Sequence, residues 1–379
     1  MKYCKHCLQP DTRPGIKFDE EGICGACLYE NEKKYIDWEK RELELQEIAN
    51  WAKSIAEGSY DCVIGISGGK DSTFQAITTK ERLGLNALLV NSVPDNITEV
   101  GRHNIENLIQ KGFDIIHIRP NPRVMSHLTR QSFYTIGNLA NPLEVALWAS
   151  TYIIADKFDI PLIIQGENPA LTLGVSQGMG IDGDAFNTIQ QNTIKEAHLT
   201  DWLGNGTDQR ALYLYKFPDL NRMQEKGIRA IWLQYYVKEW SQVGNADFSI
   251  ARGLWGRSRE SLYDIGRYRR YSQLDADITI VNQMIKYYKF GFGFATDEAC
   301  YDIREGRLSR EDAKWYVNEY DGKCADKYIE ECCQYLEITV KEFWEVVDKF
   351  VNKKLFYKDP VTNKWKPKFI VGEDFEEME

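Results

Sequence analysis

Five short apolar runs, separated by stretches with helical periodicity, constrain the fold of this 379-residue chain more than any other feature. The runs occupy residues 61–66, 86–91, 113–118, 161–165 and 228–233. Each is apolar on both faces, which is typical of strands that are covered on both sides in a parallel sheet. The alternation of strand and helix predicts an α/β fold with an open, doubly wound parallel sheet. Ligands in such sheets bind at the carboxyl ends of the strands.

The segment after the first run has the composition of an anion-binding loop. Gly68 and Gly69 allow a tight turn and a close approach of the backbone to a ligand. The helix that follows presents unpaired N–H groups and the positive end of its dipole. Ser67 and Ser72 add hydroxyl donors, and Lys70 adds a positive charge. An ordinary glycine turn is the alternative, but the complete six-residue sequence between a strand and a helix favours an anion site.

Asp71 distinguishes this loop from a Walker A motif. That motif requires Gly at position 64 and Ser or Thr at position 71, where this chain has Ile64 and Asp71. A carboxylate inside a phosphate-binding loop repels phosphate unless a cation lies between them. Asp71 therefore indicates a Mg²⁺ ion, held directly or through water.

Two pairs of cysteines near the N-terminus predict a metal site. Cys4 and Cys7 form one pair, Cys24 and Cys27 form the other, and 16 residues separate the pairs. This spacing brings four thiolates within tetrahedral reach of one Zn²⁺ ion. A four-thiolate site has no open position for a substrate, so we expect a structural role. An iron site or a redox pair is the alternative.

Charge and composition restrict the partners and the compartment. The formal net charge of −10 disfavours nucleic acid as the main partner, because binding to phosphate backbones relies on Lys and Arg. The sequence has no run of about 18 apolar residues, so no membrane-spanning helix is predicted. The N-terminus lacks the apolar run of a signal peptide, and we expect a cytoplasmic protein.

The loop also carries a family resemblance. Residues 67–72 resemble the SGGxDS signature of PP-loop ATP pyrophosphatases. The resemblance implies an adenine nucleotide alpha hydrolase-like domain in which the loop holds the pyrophosphate part of ATP, with Lys70 and Asp71 as catalytic groups.

A second nucleotide-binding turn is expected after a later strand, and Gln165, Gly166 and Glu167 fit that position. Glu167 would bind Mg²⁺ or a substrate hydroxyl; an acid in a surface turn is the alternative.

The combination of a zinc knuckle, a charged helix and this loop resembles the N-acetyl sugar amidotransferases, including those of pseudaminic acid and O-antigen biosynthesis. Further similarity lies in residues 230–233, 289–297, 302–304 and 342–347. The resemblance implies an enzyme that adenylates the acetamido oxygen of an N-acetylated sugar, either free or nucleotide-linked. Ammonia then displaces AMP and gives an acetamidino sugar for surface polysaccharide or flagellin glycan. The ammonia is expected from a separate partner that resembles a glutaminase–cyclase pair.

Four segments follow from these patterns. We predict a Cys4 zinc-binding unit at 1–30, a connector helix at 31–58, a PP-loop ATP-binding domain at 59–235 and a mostly helical substrate or partner region at 236–379. The last region begins with a basic run of six arginines that spans Arg252 to Arg270 and includes Arg257, Arg259, Arg267 and Arg269. This run is interpreted as a sugar or phosphate site, as a solvated helix face or as an RNA patch.

Two other functions compete with the amidotransferase. One is a PP-loop enzyme that modifies tRNA, since such enzymes also often carry zinc knuckles. The acidic balance of the chain weighs against it. The other is a nucleotide-binding scaffold without turnover, against which the intact loop with Asp71 argues.

Overall fold

A parallel sheet organises the first two thirds of the chain. The computed structural model describes residues 1–175, 181–186, 197–204, 208–257 and 261–376. Its main sheet has five strands in the order β3-β2-β1-β4-β5, and all neighbouring strands are parallel. The strands are β1 (Cys62–Ile66), β2 (Ala87–Ser92), β3 (Asp114–Ile118), β4 (Leu162–Gln165) and β5 (Arg229–Trp232). Each of the five apolar runs forms one strand, which confirms the predicted parallel α/β sheet.

Helices cover both faces of this sheet. The helices in this part of the chain are α1 (Gly25–Glu32), α2 (Trp38–Ala56), α3 (Lys70–Leu83), α4 (Glu99–Gln110), α5 (Pro122–Ile136), α6 (Asn141–Phe158), α7 (Pro169–Leu173), α8 (Ala197–Leu203), α9 (Leu220–Glu225) and α10 (Leu233–Tyr236). Ile64 of β1 packs with Leu45 of α2 and Phe74 of α3 on one face. Val63 packs with Tyr152 of α6 on the other. Successive side chains of β1 therefore enter opposite cores, as expected for a strand buried on both sides.

The sheet reverses its winding direction at β1. The chain moves from β1 to β2 and β3 on one side, and then returns so that β4 pairs with the free side of β1. The loops that follow β1 and β4 leave the sheet at neighbouring positions and lead to different helices. Such a reversal leaves a crevice at the carboxyl ends of the two strands.

The C-terminal region is mostly helical, as predicted. Its elements are α11 (Gln242–Ile250), α12 (Ile278–Phe290), α13 (Phe294–Arg304), α14 (Arg310–Tyr320), α15 (Asp326–Leu336), α16 (Val340–Phe350) and the antiparallel strands β6 (Phe356–Lys358) and β7 (Trp365–Pro367). Short 3-10 helices occur at Lys33–Tyr35, Gln209–Tyr215 and Tyr263–Ile265. Helix α11 packs on α3, whereas α12 to α16 build a separate core.

The N-terminal cysteine unit belongs to that separate core. Cys4 and Cys27 are buried in the same cluster as residues of α12, α13 and α16. The amino group of Met1 donates to the carbonyl of Phe375 at 2.7 Å. The first and last segments of the chain are thus packed together, while the predicted boundaries at 30, 58 and 235 remain predictions. Within the described ranges, no helix combines the length and the apolarity that crossing a membrane requires.

The stability of the sheet should depend on its central strands. Ile164 of β4 is fully buried, and we expect Ile164→Ala to lower the free energy of unfolding by about 2–5 kcal/mol through lost burial and a residual cavity. Ile55 of α2 is 55% exposed, so Ile55→Ala should change it by less than about 0.5 kcal/mol. Urea unfolding measures both values. Equal losses would contradict the assignment of β4 to the core.

Candidate functional site

The loop after β1 is held in a conformation that only glycine adopts easily. Gly68 has a φ of 78°, and a Cβ atom there would lie 2.8 Å from the carbonyl oxygen of Gly101. The side-chain amide of Asn104 donates to the carbonyl of Gly68 at 2.8 Å. Helix α4 thus fixes the loop from outside, and the sequence-based argument for a tight turn at this glycine is supported.

The same loop places the start of α3 at the edge of a cavity. Helix α3 begins at Lys70, directly after Gly69. The first N–H groups of any α-helix lack intrahelical acceptors and carry partial positive charge. The cavity has a volume of about 590 Å³, and the loop residues that line it are Ser67, Gly69, Lys70, Asp71 and Ser72. Five of the six predicted loop residues therefore surround one space.

Helix α11 completes the loop from the C-terminal region. The carboxylate of Asp71 forms an ion pair with the ammonium group of Lys70. Its other oxygen accepts a hydrogen bond from the side-chain amide of Asn245 at 2.8 Å. The hydroxyl of Ser249 donates to the carbonyl of Lys70 at 2.9 Å. Sequence reasoning missed Asn245 and Ser249, because neither belongs to a motif and both reach the loop only through packing of α11 on α3.

The predicted second loop brings Glu167 to the same cavity. Glu167 lines it and accepts a hydrogen bond from the amide of Gln242 at 3.0 Å. Burial, and then the negative charge of Asp71, raise the pKa of Glu167 to about 7. A partly buried acid beside another acid is a favourable position for a cation, and the two carboxylates are provided by the two predicted loops.

Gln165 and Gly166 support this second loop from behind. The amide of Gln165 donates to the hydroxyl of Thr151 in α6 at 2.9 Å, inside the protein. A Cβ atom at Gly166 would lie 3.1 Å from the side-chain oxygen of Gln75. The Gln165 side chain therefore points away from the cavity, whereas Glu167 lines it.

The opposite wall of the cavity was not foreseen as a unit. It is formed by residues within 269–275, by α12 and α13, and by Arg13 and Pro14 from the segment between the two cysteine pairs. Its charged and aromatic members are Arg13, Arg269, Tyr271, Asp275, Lys286, Lys289, Phe290, Phe292, Phe294, Asp297, Glu298 and Tyr301. The carboxylate of Asp297 pairs with Arg13 and, at 2.8 Å, with Lys286. Although burial opposes ionisation, these two cations hold the pKa of Asp297 below its usual range. The resemblance within residues 289–297 marked part of this wall, whereas Arg13 gave no signal.

Glu298 is a second buried acid on this wall. Glu298 is 2% exposed. Burial raises the pKa of its carboxyl group to about 7, although the positive charges of Arg267 and Arg269 lower it. One of its oxygens accepts a hydrogen bond from the backbone N–H of Tyr268 at 3.2 Å. Glu298 therefore holds its proton up to a higher pH than an exposed glutamate does.

The basic run serves several purposes. Arg267 is fully buried and donates to the carbonyl of Ser272 at 2.6 Å, and Arg257 donates to the carbonyl of Gln273 at 2.8 Å. Arg269 lines the cavity, while Arg259 lies outside the described residues. In the described part of the run, Arg257 and Arg267 are buried against backbone carbonyls and Arg269 lines the cavity, so the run is not a single solvated helix face.

The four predicted cysteine ligands converge on one point. Cys4, Cys7, Cys24 and Cys27 are all buried, and their sulfur atoms lie within 4.8 Å of one another. The Sγ–Sγ distances are 3.9 Å for Cys4 and Cys27, 3.8 Å for Cys7 and Cys24, and 3.5 Å for Cys24 and Cys27. Tetrahedral Zn–S bonds of about 2.3 Å require sulfur atoms about 3.8 Å apart. The cluster is therefore compatible with a structural zinc ion.

Part of the opposite wall of the cavity matches a known protein family. Residues 265–369 match the family model described as LPS biosynthesis protein WbpG-like, C-terminal domain. The match covers Arg269 and helices α12 and α13, and so includes much of the wall that faces the loop. It indicates a part in lipopolysaccharide or sugar biosynthesis, which fits an enzyme of sugar modification. No curated protein matches the chain.

The raised pKa of Glu298 predicts a pH-dependent stability. Below about pH 4.5 the acid is protonated in both the folded and the unfolded chain, and as the pH rises to about 7 only the unfolded chain releases its proton readily. Glu298 alone should therefore contribute a loss on the order of 3 kcal/mol of stability over this range, and Glu298→Gln should lose that much less than the wild type. Unfolding in urea at about pH 5 and about pH 8 measures the difference. The exposed Glu106→Gln should keep the wild-type pH profile, and an identical profile for Glu298→Gln would contradict the assignment.

Proposed function

We propose that this protein is an ATP-dependent amidotransferase that converts the acetamido group of an N-acetylated sugar into an acetamidino group. One observation carries the proposal: a single cavity joins the loop at the start of α3 to a wall that matches a family of lipopolysaccharide biosynthesis. The first side resembles an ATP pyrophosphatase site, and the second supports a sugar as the other substrate.

The loop side is suited to the phosphates of ATP. The N–H groups at the start of α3 and the ammonium group of Lys70 would hold the β- and γ-phosphates, which leave as pyrophosphate. Asp71 and Glu167 would hold Mg²⁺, and the effect of the charge of Asp71 on the pKa of Glu167 supports this pairing. When bound, Mg²⁺ would offset the negative charge that develops on the pyrophosphate.

The opposite side is suited to a sugar. Phe294 and Tyr301 are partly exposed and add aromatic surface, while Arg269 and Glu298 add charged groups to the same wall. Binding sites for small molecules typically combine such apolar surface with a few polar groups that fix orientation. The cavity of about 590 Å³ falls within the usual range for such sites.

The proposed reaction has two steps. The acetamido oxygen attacks the α-phosphorus of ATP, the bond to the β-phosphate oxygen breaks, and pyrophosphate leaves. Ammonia then attacks the imidate carbon, the carbon–oxygen bond breaks, and AMP leaves with the former amide oxygen while nitrogen stays on the sugar. Because an amide oxygen is a poor nucleophile, positioning of the two substrates must supply much of the rate.

Ammonia is proposed to come from a separate glutaminase–cyclase-like partner. Glutamine hydrolysis requires an accessible nucleophile, commonly a thiol. Cys4, the cysteine nearest the N-terminus, is fully buried among the three other thiols of the metal cluster. It is therefore a poor candidate for that nucleophile.

The loop residues can be tested by substitution. Lys70→Ala and Asp71→Asn should each lower turnover by about 10²-fold or more, because each removes a charge placed against the pyrophosphate. Release of pyrophosphate in the presence of ATP, Mg²⁺, ammonium and the sugar measures turnover. Lys40→Ala, an exposed change on α2, should leave the rate unchanged. Wild-type rates in both loop variants would exclude the loop as the active site.

The position of the broken bond distinguishes adenylation from phosphorylation. If the acetamido oxygen carries ¹⁸O, the label should appear in AMP, and the sugar should lose oxygen and gain nitrogen. Mass spectrometry of the products measures both. Label in inorganic phosphate would indicate a phosphorylated imidate, and label retained in the sugar would exclude oxygen displacement; either result contradicts the proposal.

The source of nitrogen gives an independent test. The isolated chain should use free ammonium and should fail with glutamine unless a glutaminase is added. Formation of the acetamidino sugar from each nitrogen source measures the preference. Efficient use of glutamine by the isolated chain would show that the partner is unnecessary.

A further inference from the structure

The segment between the two cysteine pairs forms part of the cavity wall. The hydroxyl of Thr12 donates to the carbonyl of Phe290 at 2.5 Å, at the end of α12. The next residue, Arg13, lines the cavity and forms an ion pair with Asp297. Its guanidinium carbon lies 4.5 Å from the centre of the Phe292 ring. The position of Arg13 therefore depends on the fold of the cysteine unit.

A second contact joins the cysteine unit to the loop after β4. Ile16 forms an antiparallel bridge with Val175, just after α7. At the end of α7, Gly174 has a φ of 70°, and a Cβ atom there would lie 2.8 Å from the backbone nitrogen of Ala26 and 3.1 Å from that of Gly25. The knuckle formed by residues 24–27 thus packs directly on the backbone of α7. That helix begins two residues after Glu167.

A third contact runs through α13. Arg304, at the end of this helix, donates to the carbonyl of Thr172 in α7 at 3.0 Å. Ala299, Cys300 and Ile303 of the same helix lie in one buried cluster with Cys7 and Cys27. Helix α13 consequently links the metal cluster at one end to Asp297 on the cavity wall.

We propose that the metal-bound cysteine unit positions the cavity. Metal binding by the four cysteines holds Arg13 against Asp297 and holds α7 and α13 against the knuckle, so that loss of the metal loosens both walls. Arg13 is a positioning residue in this arrangement. The proposal concerns the geometry of the cavity and does not depend on the reaction that occurs in it.

Hydrogen exchange of the full chain tests the proposal without any substrate. The metal is removed with a chelator under reducing conditions, and metal content is measured before and after. The zinc-loaded protein should contain one zinc per chain. In the stripped protein, exchange in peptides from α7 and α13 should be about tenfold faster or more, while peptides from β1 to β3 should change by less than about twofold. Unchanged protection of α7 and α13 would overturn the proposal, and so would an equal loss of protection in the strands.

A pair of glycine variants tests the contact while all four cysteines remain. Gly174→Ala and Gly227→Ala both place a side chain at positive φ, at 70° and 81°, but a Cβ atom at position 227 meets nothing within 4 Å. Backbone strain is therefore matched, and only Gly174→Ala presses on the knuckle. Release of zinc to a colorimetric chelator should be about fivefold faster or more in Gly174→Ala and unchanged in Gly227→Ala. Equal release rates would show that the knuckle and α7 are not coupled.

Both experiments remain valid if the proposed amidotransferase activity is absent. A failure to form AMP or acetamidino sugar would overturn the proposed function alone. Conversely, metal-independent protection of α7 and α13 would overturn only the positioning role of the cysteine unit.

Discussion

The pairing of β1 with β2 on one side and with β4 on the other determines where the functional groups of this protein meet. The chain reverses its winding direction at β1, so the loops after β1 and β4 leave the same edge of the sheet. Gly68 can follow its path only because it has no Cβ atom, since the carbonyl of Gly101 occupies that space. The start of α3 and the carboxylate of Glu167 consequently face one cavity.

The rest of the chain closes this crevice through polar contacts between distant segments. Asn245 orients Asp71, Gln242 contacts Glu167, and Arg13 pairs with Asp297. Buried charges are costly unless they are paired and hydrogen-bonded, so each pair favours one arrangement of its two segments. The walls of the cavity are therefore specified by ionic and hydrogen-bond geometry in addition to apolar packing.

Local patterns in the sequence predicted the parts of the structure that local physics determines. The five strands follow from short apolar runs, although the edge strand β3 leaves Asp114 and His117 exposed, and convergence of the four cysteines follows from their paired spacing. Glu167 reached the cavity because it directly follows a strand on the binding edge of the sheet. Gln165, still within β4, turns instead to Thr151 of α6.

Contacts between distant residues could not be predicted in this way. Arg13 and Asp297 are 284 positions apart, and no spacing rule relates them. Arg257 and Arg267 looked like members of a basic surface run, because the sequence does not reveal the backbone carbonyls that they bind. Whether an arginine serves a ligand or its own loop is decided by tertiary packing, which brings carbonyl oxygens close to some side chains and leaves others at a cavity.

The charges around the loop bear on how nucleotide and cation would bind in the proposed function. Lys70 is paired with Asp71, so a polyphosphate that engages Lys70 must compete with this carboxylate. Asp71 would then lose a neutralising partner while it lies close enough to Glu167 to raise the pKa of that acid. A divalent cation between these carboxylates and the phosphate oxygens removes both repulsions at once. In the proposed function Asp71, which would weaken a phosphate loop on its own, would thereby couple binding of the nucleotide to binding of the cation.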